Sequence, residues 1–149
     1  KFLNLDNLSN NIKIIKNINE NLNVYDFISL HVPFNNSEKA LINKTFLDKL
    51  KNDCAIINTS RGDLVDEKDL INHLKKNNNF YAGLDVFNPE PPSSNNQLYK
   101  LKNTILTPHS AAYTDECLAE MSLHCAINIE NFFKGNIDQS RLINKKIYS

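Results

Sequence analysis

The sequence is poor in glycine and cysteine and has no tryptophan. Its three glycines lie far apart along the chain, so none of them forms a glycine-rich phosphate-binding loop of the GxGxxG kind. The three cysteines, Cys54, Cys117 and Cys125, are odd in number and show no CxxC spacing. This pattern predicts neither a disulfide framework nor a metal site, and it fits a reducing cytoplasm.

Long apolar runs and an excess of either charge are also absent. No run approaches the roughly 20 apolar residues that span a bilayer, and residues 1–6 lack the core of a signal peptide. Seventeen Lys and Arg residues balance 17 Asp and Glu residues. Net neutrality gives no reason to expect nucleic acid or a membrane surface as a partner. The 149 residues, 41% of them apolar, suffice for one hydrophobic core.

Arginine is scarce, whereas lysine is abundant. The chain has 15 lysines and only two arginines, Arg61 and Arg141. Where lysine is the default cation, an arginine is expected for its planar, bidentate guanidinium rather than for charge alone. Arg61 closely follows an apolar run and is therefore a candidate anion-binding residue.

Strand and helix patterns alternate along the chain. Residues 54–58 form a nearly continuous apolar run, which is typical of a parallel strand buried on both faces. Asp66 and Asp69 mark the start of a helix that carries an apolar stripe. The predicted strands are residues 1–5, 26–30, 54–58, 80–87 and 104–106, and the predicted helices are residues 17–23, 43–50, 66–76 and 114–134. This alternation predicts an α/β fold with a parallel sheet and right-handed crossovers.

Polar residues follow the predicted strands. In open parallel sheets, ligands bind outside the carboxyl ends of the strands. Residues that follow a strand immediately or closely are Asp6, His31, Thr59, Arg61, Asp85, Glu90 and His109. Each alone is better explained as an ordinary surface cation, a solvated carboxylate or a loop histidine, because polar residues commonly follow strands. Their agreement across the sheet indicates a functional edge.

Four segments, in this order and spacing, resemble the signature of the D-isomer-specific 2-hydroxyacid dehydrogenases. The segments are residues 29–33 (SLHVP), 57–66 (INTSRGDLVD), 83–91 (GLDVFNPEP) and 106–111 (LTPHSA). The resemblance extends from residue 1 to about residue 145. It implies a Rossmann-like parallel sheet that corresponds to the C-terminal part of an NAD-binding domain.

The resemblance also implies a catalytic set made of Arg61, Glu90 and His109. A guanidinium can hold the carboxylate and carbonyl oxygens of a 2-oxo acid through parallel charge-assisted hydrogen bonds, which suits Arg61. A histidine can exchange the proton of the substrate oxygen near neutral pH, which suits His109. A carboxylate beside that ring stabilises its protonated form, which suits Glu90.

By the same resemblance the cofactor is NAD. Asp85 matches the carboxylate that accepts a hydrogen bond from the nicotinamide carboxamide, and Thr59 and Ser110 border the nicotinamide. His31 lies in a matching motif and is expected to approach the cofactor. Asp6 falls near the family's acidic residue that binds the adenine ribose hydroxyls. Such a carboxylate favours NAD over NADP, because it repels the extra phosphate of NADP.

Two parts of the family pattern are missing from the printed sequence, namely the glycine-rich loop and the substrate-binding domain. We therefore expect residues 1–134 to be a partial dinucleotide-binding domain. Residues 135–149 are expected to be a return segment toward the absent substrate domain. Without a phosphate cradle at a helix N-terminus, the 149 residues alone should lack dehydrogenase activity, while the parent protein has it. Family members are commonly homodimers, and the parent is expected to be one.

The function implied is an oxidoreductase that interconverts a small-molecule D-2-hydroxy acid and its 2-oxo acid, with 3-phosphoglycerate as the leading guess. An alternative is a non-enzymatic, dinucleotide-sensing protein of the corepressor type, because such proteins can retain the same three residues. No basic cluster supports a nuclear role. A degenerate remnant is a third interpretation, which the intact Arg61, Asp85, Glu90 and His109 argue against.

Overall fold

A computed structural model describes residues 12–35 and 39–144 of the chain. The chain divides into two compact units, one that ends at Pro108 and one that begins at His109. The predicted strand at residues 1–5 lies outside the described residues. The predicted division into residues 1–134 and 135–149 stays a prediction.

The first unit contains a four-stranded parallel sheet. Its strands are β1 (Phe27–Leu30), β2 (Ala55–Asn58), β3 (Tyr81–Leu84) and β4 (Thr104–Leu106), and they neighbour one another in chain order. The predicted α/β parallel sheet is thus confirmed. The strand predicted over residues 80–87 is shorter, because Leu84 already pairs with the last residues of both neighbouring strands.

Two helices of the first unit connect the strands, α1 (Lys44–Leu47) and α2 (Glu67–Lys76). As predicted, Asp66 caps α2, since its side chain accepts a hydrogen bond from the backbone N–H of Asp69 at 3.0 Å. The buried apolar face of α2 consists of Leu70, Ile71 and Leu74. This face joins a core that includes the fully buried side chains of Ile42, Cys54, Ile56, Phe80 and Leu98.

Helix formation in the amino-terminal half is weaker than the pattern predicted. Around residues 17–23 the structure has a turn, in which the N–H of Glu20 donates to the carbonyl of Asn17 at 3.2 Å, and the 3-10 turn Leu22–Val24. Between them Asn21 adopts a left-handed backbone (φ 54°) that interrupts a helix. The helix predicted over residues 43–50 is the single turn α1. The other 3-10 turns in the part of the chain that the structure describes are Gly62–Leu64, Gln97–Lys100 and Gln139–Arg141.

The second unit is built on the long helix α3 (Asp115–Phe133). Thr114 caps it by accepting a hydrogen bond from the N–H of Cys117 at 3.1 Å. Gly135 ends it with φ 72°, and the N–H of Asn136 donates to the carbonyl of Asn131 at 2.8 Å, the pattern of a Schellman motif. The predicted helix over residues 114–134 is confirmed. No helix among the described residues has both the length and the apolar content that crossing a membrane requires.

His73 of α2 is a half-buried titratable group of the first unit. Its ring meets the ring of Phe80 edge-on, with centroids 4.6 Å apart. Among the described residues, Nε2 of His73 is buried and has no hydrogen-bond partner. Burial lowers the pKa of His73; Asp48 opposes this effect, and Lys44 and Lys76 add to it.

We expect acid to destabilise the first unit through His73. The unfolded imidazole takes up a proton near its ordinary pKa of 6.5, whereas the folded ring resists protonation. The unfolded state therefore binds more protons, and stability falls as the pH decreases through and below 6.5. Urea unfolding of the wild type and of His73→Phe, at roughly pH 7.5 and 5.5, measures the effect. The variant keeps an aromatic ring against Phe80 and should lose less stability in acid; an equal loss in both proteins would contradict the assignment.

Candidate active site

The carboxyl ends of the parallel strands lie at one edge of the sheet. Asp85 directly follows β3, His31 directly follows β1, and Thr59 to Arg61 follow β2. Because all strand pairs are parallel, the first unit gathers these residues at that edge, as the sequence predicted.

Asn58, the last residue of β2, organises the loop that follows this strand. Its side chain is fully buried, with Nδ2 donating to the carbonyl of Arg61 at 2.8 Å and Oδ1 accepting from the N–H of Ser60 at 3.0 Å. The hydroxyl of Ser60 donates to the carbonyl of Val32 at 2.5 Å. This hydrogen bond joins the loop after β1 to the loop after β2 at the residue before Arg61.

Gly62 brings the loop after β2 into backbone contact with the loop after β3. A Cβ atom at position 62 would lie 2.0 Å from the carbonyl oxygen of Phe87 and 2.7 Å from the backbone nitrogen of Asn88. Next to this contact, the side-chain amide of Asn88 donates to the carboxylate of Asp63 at 2.5 Å. The close approach is possible only because position 62 has no side chain.

The carboxylate of Glu90 is hydrogen-bonded to the backbone of Phe87, the residue that Gly62 approaches. Its Oε2 accepts a hydrogen bond from the N–H of Phe87 at 3.3 Å. Gly62, the neighbour of Arg61, contacts the carbonyl of that same Phe87. The structure thus brings the loops that carry Arg61 and Glu90 together, and both of these side chains are exposed.

Asp85 is a buried carboxylate at the end of β3, only 3% exposed. Its backbone N–H donates to the carbonyl of Asn58 at 2.9 Å, and its Oδ1 accepts from the hydroxyl of Thr107 at 2.5 Å. A buried carboxylate is costly unless hydrogen bonds stabilise it. At the carboxyl edge of the sheet, such an acceptor suits a ligand that offers an amide N–H, as a nicotinamide carboxamide does.

The structure shows fewer contacts for the remaining residues predicted to bind the cofactor. The imidazole Nε2 of His31 shares a hydrogen bond of 2.7 Å with the hydroxyl of Ser29, which holds the exposed ring beside its own strand. Thr59 is exposed at the start of the loop after β2. Asp6 lies outside the described residues. Among the residues that the structure describes, no group of three or more His, Cys, Asp or Glu side chains could hold a metal ion.

His109 begins the second unit, which also contains Ser110. The convergence of His109 with Arg61 and Glu90 therefore stays a prediction. The backbone of His109 is left-handed, with φ 55°. A residue with a Cβ costs roughly 1–2 kcal/mol in that conformation, and such strain concentrates at functional sites. A histidine in place of the easier glycine is consistent with a chemical role for its ring.

Three positions that hold the site were not recognised from the sequence: Asn58, Gly62 and Thr107. A signal existed for the first, because Asn58 is a polar residue that closes an otherwise apolar strand. The close backbone approach at Gly62 and the hydrogen bond of Thr107 to Asp85 are both contacts between segments distant in sequence. No local pattern reports such contacts.

Comparison with known proteins identifies the class. Residues 5–111 match the model of the D-isomer specific 2-hydroxyacid dehydrogenase family, NAD binding domain. The match covers more than half of the chain, and the chain belongs to this family.

Individual relatives agree with the family match. The glyoxylate reductase of Thermococcus litoralis is 43% identical over 122 residues, which are 82% of this chain and 36% of that protein. The D-3-phosphoglycerate dehydrogenase of Archaeoglobus fulgidus is 39% identical over 110 residues, which are 74% of this chain and 21% of that protein. Each of these matches therefore spans about a third or less of the relative's length.

A solved structure shows the same likeness. The NAD-complexed D-isomer specific 2-hydroxyacid dehydrogenase from Lactobacillus delbrueckii ssp. bulgaricus superposes with a TM-score of 0.67 at 31% identity. The superposition covers 76% of this chain and 38% of that one. The fold is therefore that of a Rossmann-like NAD-binding domain.

Proposed function

We propose that this chain forms the catalytic edge of an NAD-dependent oxidoreductase that interconverts a D-2-hydroxy acid and its 2-oxo acid. Arg61 binds the substrate carboxylate, His109 exchanges the proton of the substrate oxygen, and Glu90 stabilises the protonated form of His109. Asp85, Thr59, His31 and Ser110 each contribute to binding the nicotinamide end of the cofactor, and Asp6 contributes to the ribose site.

One observation carries the proposal: the backbone contact at Gly62 that joins the loop of Arg61 to the loop of Glu90. The Cβ-to-oxygen distance of 2.0 Å that a side chain would have there means that the two loops pack without any intervening atom. This contact supports a site at the carboxyl edge of the sheet, where the buried Asp85 follows β3. This is where a parallel α/β sheet binds its ligand.

The chemistry divides between the cofactor and the chain. NAD, when bound, supplies or accepts the hydride. Arg61 orients the substrate through its carboxylate, and a bidentate pair fixes both direction and distance. His109 donates a proton to the ketone oxygen during reduction and accepts it from the hydroxyl during oxidation.

Which 2-hydroxy acid is the substrate depends on the chemical group that lies away from the reacting carbon. The relatives include a glyoxylate reductase and a D-3-phosphoglycerate dehydrogenase, and a hydroxypyruvate reductase from Thermotoga maritima is 38% identical over 111 residues. Within this group we propose 3-phosphoglycerate as the first substrate to test. Glyoxylate, hydroxypyruvate and phosphohydroxypyruvate form the panel of 2-oxo acids that tests it.

The test is an assay of the protein expressed from its whole natural reading frame, with NADH and this panel. We expect turnover of at least one 2-oxo acid, and we expect Arg61→Lys to raise its KM by about ten- to a hundredfold. Lysine keeps the charge but loses the second parallel hydrogen bond, and a hydrogen bond to a charged group contributes about 1.5–3 kcal/mol. The KM for NADH should change little.

The matched control is Arg141→Lys, the same substitution at the other arginine, which follows no predicted strand. It should leave both KM values near those of the wild type. Binding of NADH without turnover of any 2-oxo acid would overturn the enzymatic proposal and favour a dinucleotide sensor. The 149 residues alone, which contain no GxGxxG loop, are expected to show no turnover.

A further inference from the structure

Asn58 has a polar side chain that is fully buried (0% exposed) at the carboxyl edge of the sheet. It sits at the last position of β2, paired with Leu30 of β1 and Leu84 of β3. A buried amide is tolerated only when its donor and its acceptor are both satisfied. The partners of Asn58 therefore show which part of the structure needs it.

Those partners all belong to the loops of the candidate active site. The side-chain amide spans the turn after β2, with its N–H on the carbonyl of Arg61 and its oxygen on the N–H of Ser60. The backbone carbonyl of Asn58 accepts from the N–H of Asp85 at 2.9 Å. One residue thus contacts the main chain on both the Arg61 side and the Asp85 side of the edge.

The guanidinium of Arg61 depends on this arrangement. Its backbone is extended (φ −143°, ψ 140°), and its Nη1 donates to the carbonyl of Ser60 at 2.6 Å. Ser60 is itself held by Asn58. The Asn58 amide therefore holds the main chain of Arg61 and also the main chain of Ser60, whose carbonyl oxygen the guanidinium contacts.

We propose that Asn58 is a positioning residue for the substrate carboxylate, acting through Arg61 while its backbone aligns Asp85. This inference rests on the proposed function of Arg61. Only an amide of this length offers a donor to Arg61 and an acceptor to Ser60 at once. An ionised aspartate supplies acceptors alone and would face the carbonyl oxygen of Arg61 with a second oxygen.

The test compares Asn58→Asp with Asn103→Asp in the protein expressed from its whole reading frame. Asn103 is the matched control, because it is also buried and its amide donates to backbone carbonyls, those of Leu74 and Phe80, at the opposite edge of the sheet. Both variants lose stability. Asn58→Asp should raise the KM for the 2-oxo acid by about ten- to a hundredfold, the scale of a misplaced catalytic geometry. Asn103→Asp should leave that KM within about twofold of the wild type.

Equal KM values in the two variants would overturn the proposal, since a merely structural role affects both alike. Amide hydrogen exchange on the unmodified protein expressed from its whole reading frame gives a second measurement that needs neither a variant nor activity. The N–H of Ser60 should exchange about as slowly as the N–H of Asp85, because Asn58 accepts from both. Exchange of Ser60 at the rate of an open loop would also overturn the proposal. An inactive wild type with a protected Ser60 would instead place the failure in the function assigned to Arg61.

Discussion

Replacement of His109 by asparagine is expected to lower kcat for 2-oxo acid reduction by about 10²- to 10⁴-fold, the contribution of a positioned general acid. Asparagine tolerates the left-handed backbone found at this position (φ 55°). The variant therefore removes the titrating ring without adding backbone strain. Its unfolding temperature should stay near that of the wild type, so a loss of rate reports on chemistry rather than on folding.

The pH dependence supplies the control for His109. Reduction needs the ring protonated at the start and oxidation needs it neutral, so the rates of the two directions should depend on pH in opposite senses. Both trends should disappear in His109→Asn. A variant that keeps the wild-type rate and both trends would exclude His109 from proton transfer. His124→Asn, the same substitution within α3, should leave the rate unchanged.

Replacement of Gly62 by alanine is expected to destabilise the first unit by about 3 kcal/mol, at the upper end of the cost of overpacking. The added Cβ would lie 2.0 Å from one backbone oxygen and 2.1 Å from a backbone carbon of Phe87. Because backbone atoms cannot rotate away as a side-chain tip can, one of the two loops must move. Thermal unfolding should show a fall in Tm of roughly 10 °C or more for a unit of this size.

The other two glycines are matched controls. At Gly83, a Cβ would meet only Cγ1 of Ile57 at 3.9 Å, so Gly83→Ala should stay within about 1 kcal/mol of the wild type. At Gly135, nothing lies within 4 Å but φ is +72°, so Gly135→Ala should lose about 1 kcal/mol through strain at the end of α3. A Gly62→Ala variant as stable as Gly83→Ala would show that the two loops do not pack as described.

The regular elements of the fold could be predicted from the sequence where one local signal was strong. The apolar run of β2 and the capping aspartate of α2 placed these elements within a residue of their observed bounds. The Asn-rich segment before β1 was overestimated as a helix, because the left-handed conformation of Asn21 is a local choice that hydrophobic periodicity does not encode. The length of β3 depends on its neighbours, and only the pairing register reveals it.

The place of the candidate site on the sheet could be predicted from the sequence, but its supports could not. Arg61 and Asp85 each follow a strand of a parallel sheet and lie at the expected edge, whereas their roles were implied by the family resemblance and stay predictions. The contact of Gly62 with Phe87 joins segments about 25 residues apart, a separation at which sequence spacing carries no geometric information. His109 was identified through its motif, and its distance from the other two side chains stays a prediction.

The strand order has a consequence for how the chain is made. Among the described strands, β2, β3 and β4 each pair with the strand synthesised just before them, and paired residues are separated by about 20 to 30 positions. Each of these pairings closes a loop of similar, modest entropy, and each of these three strands leaves the ribosome after its earlier partner. The sheet can grow by one edge at a time during translation, and the loops of the catalytic edge form in the same succession.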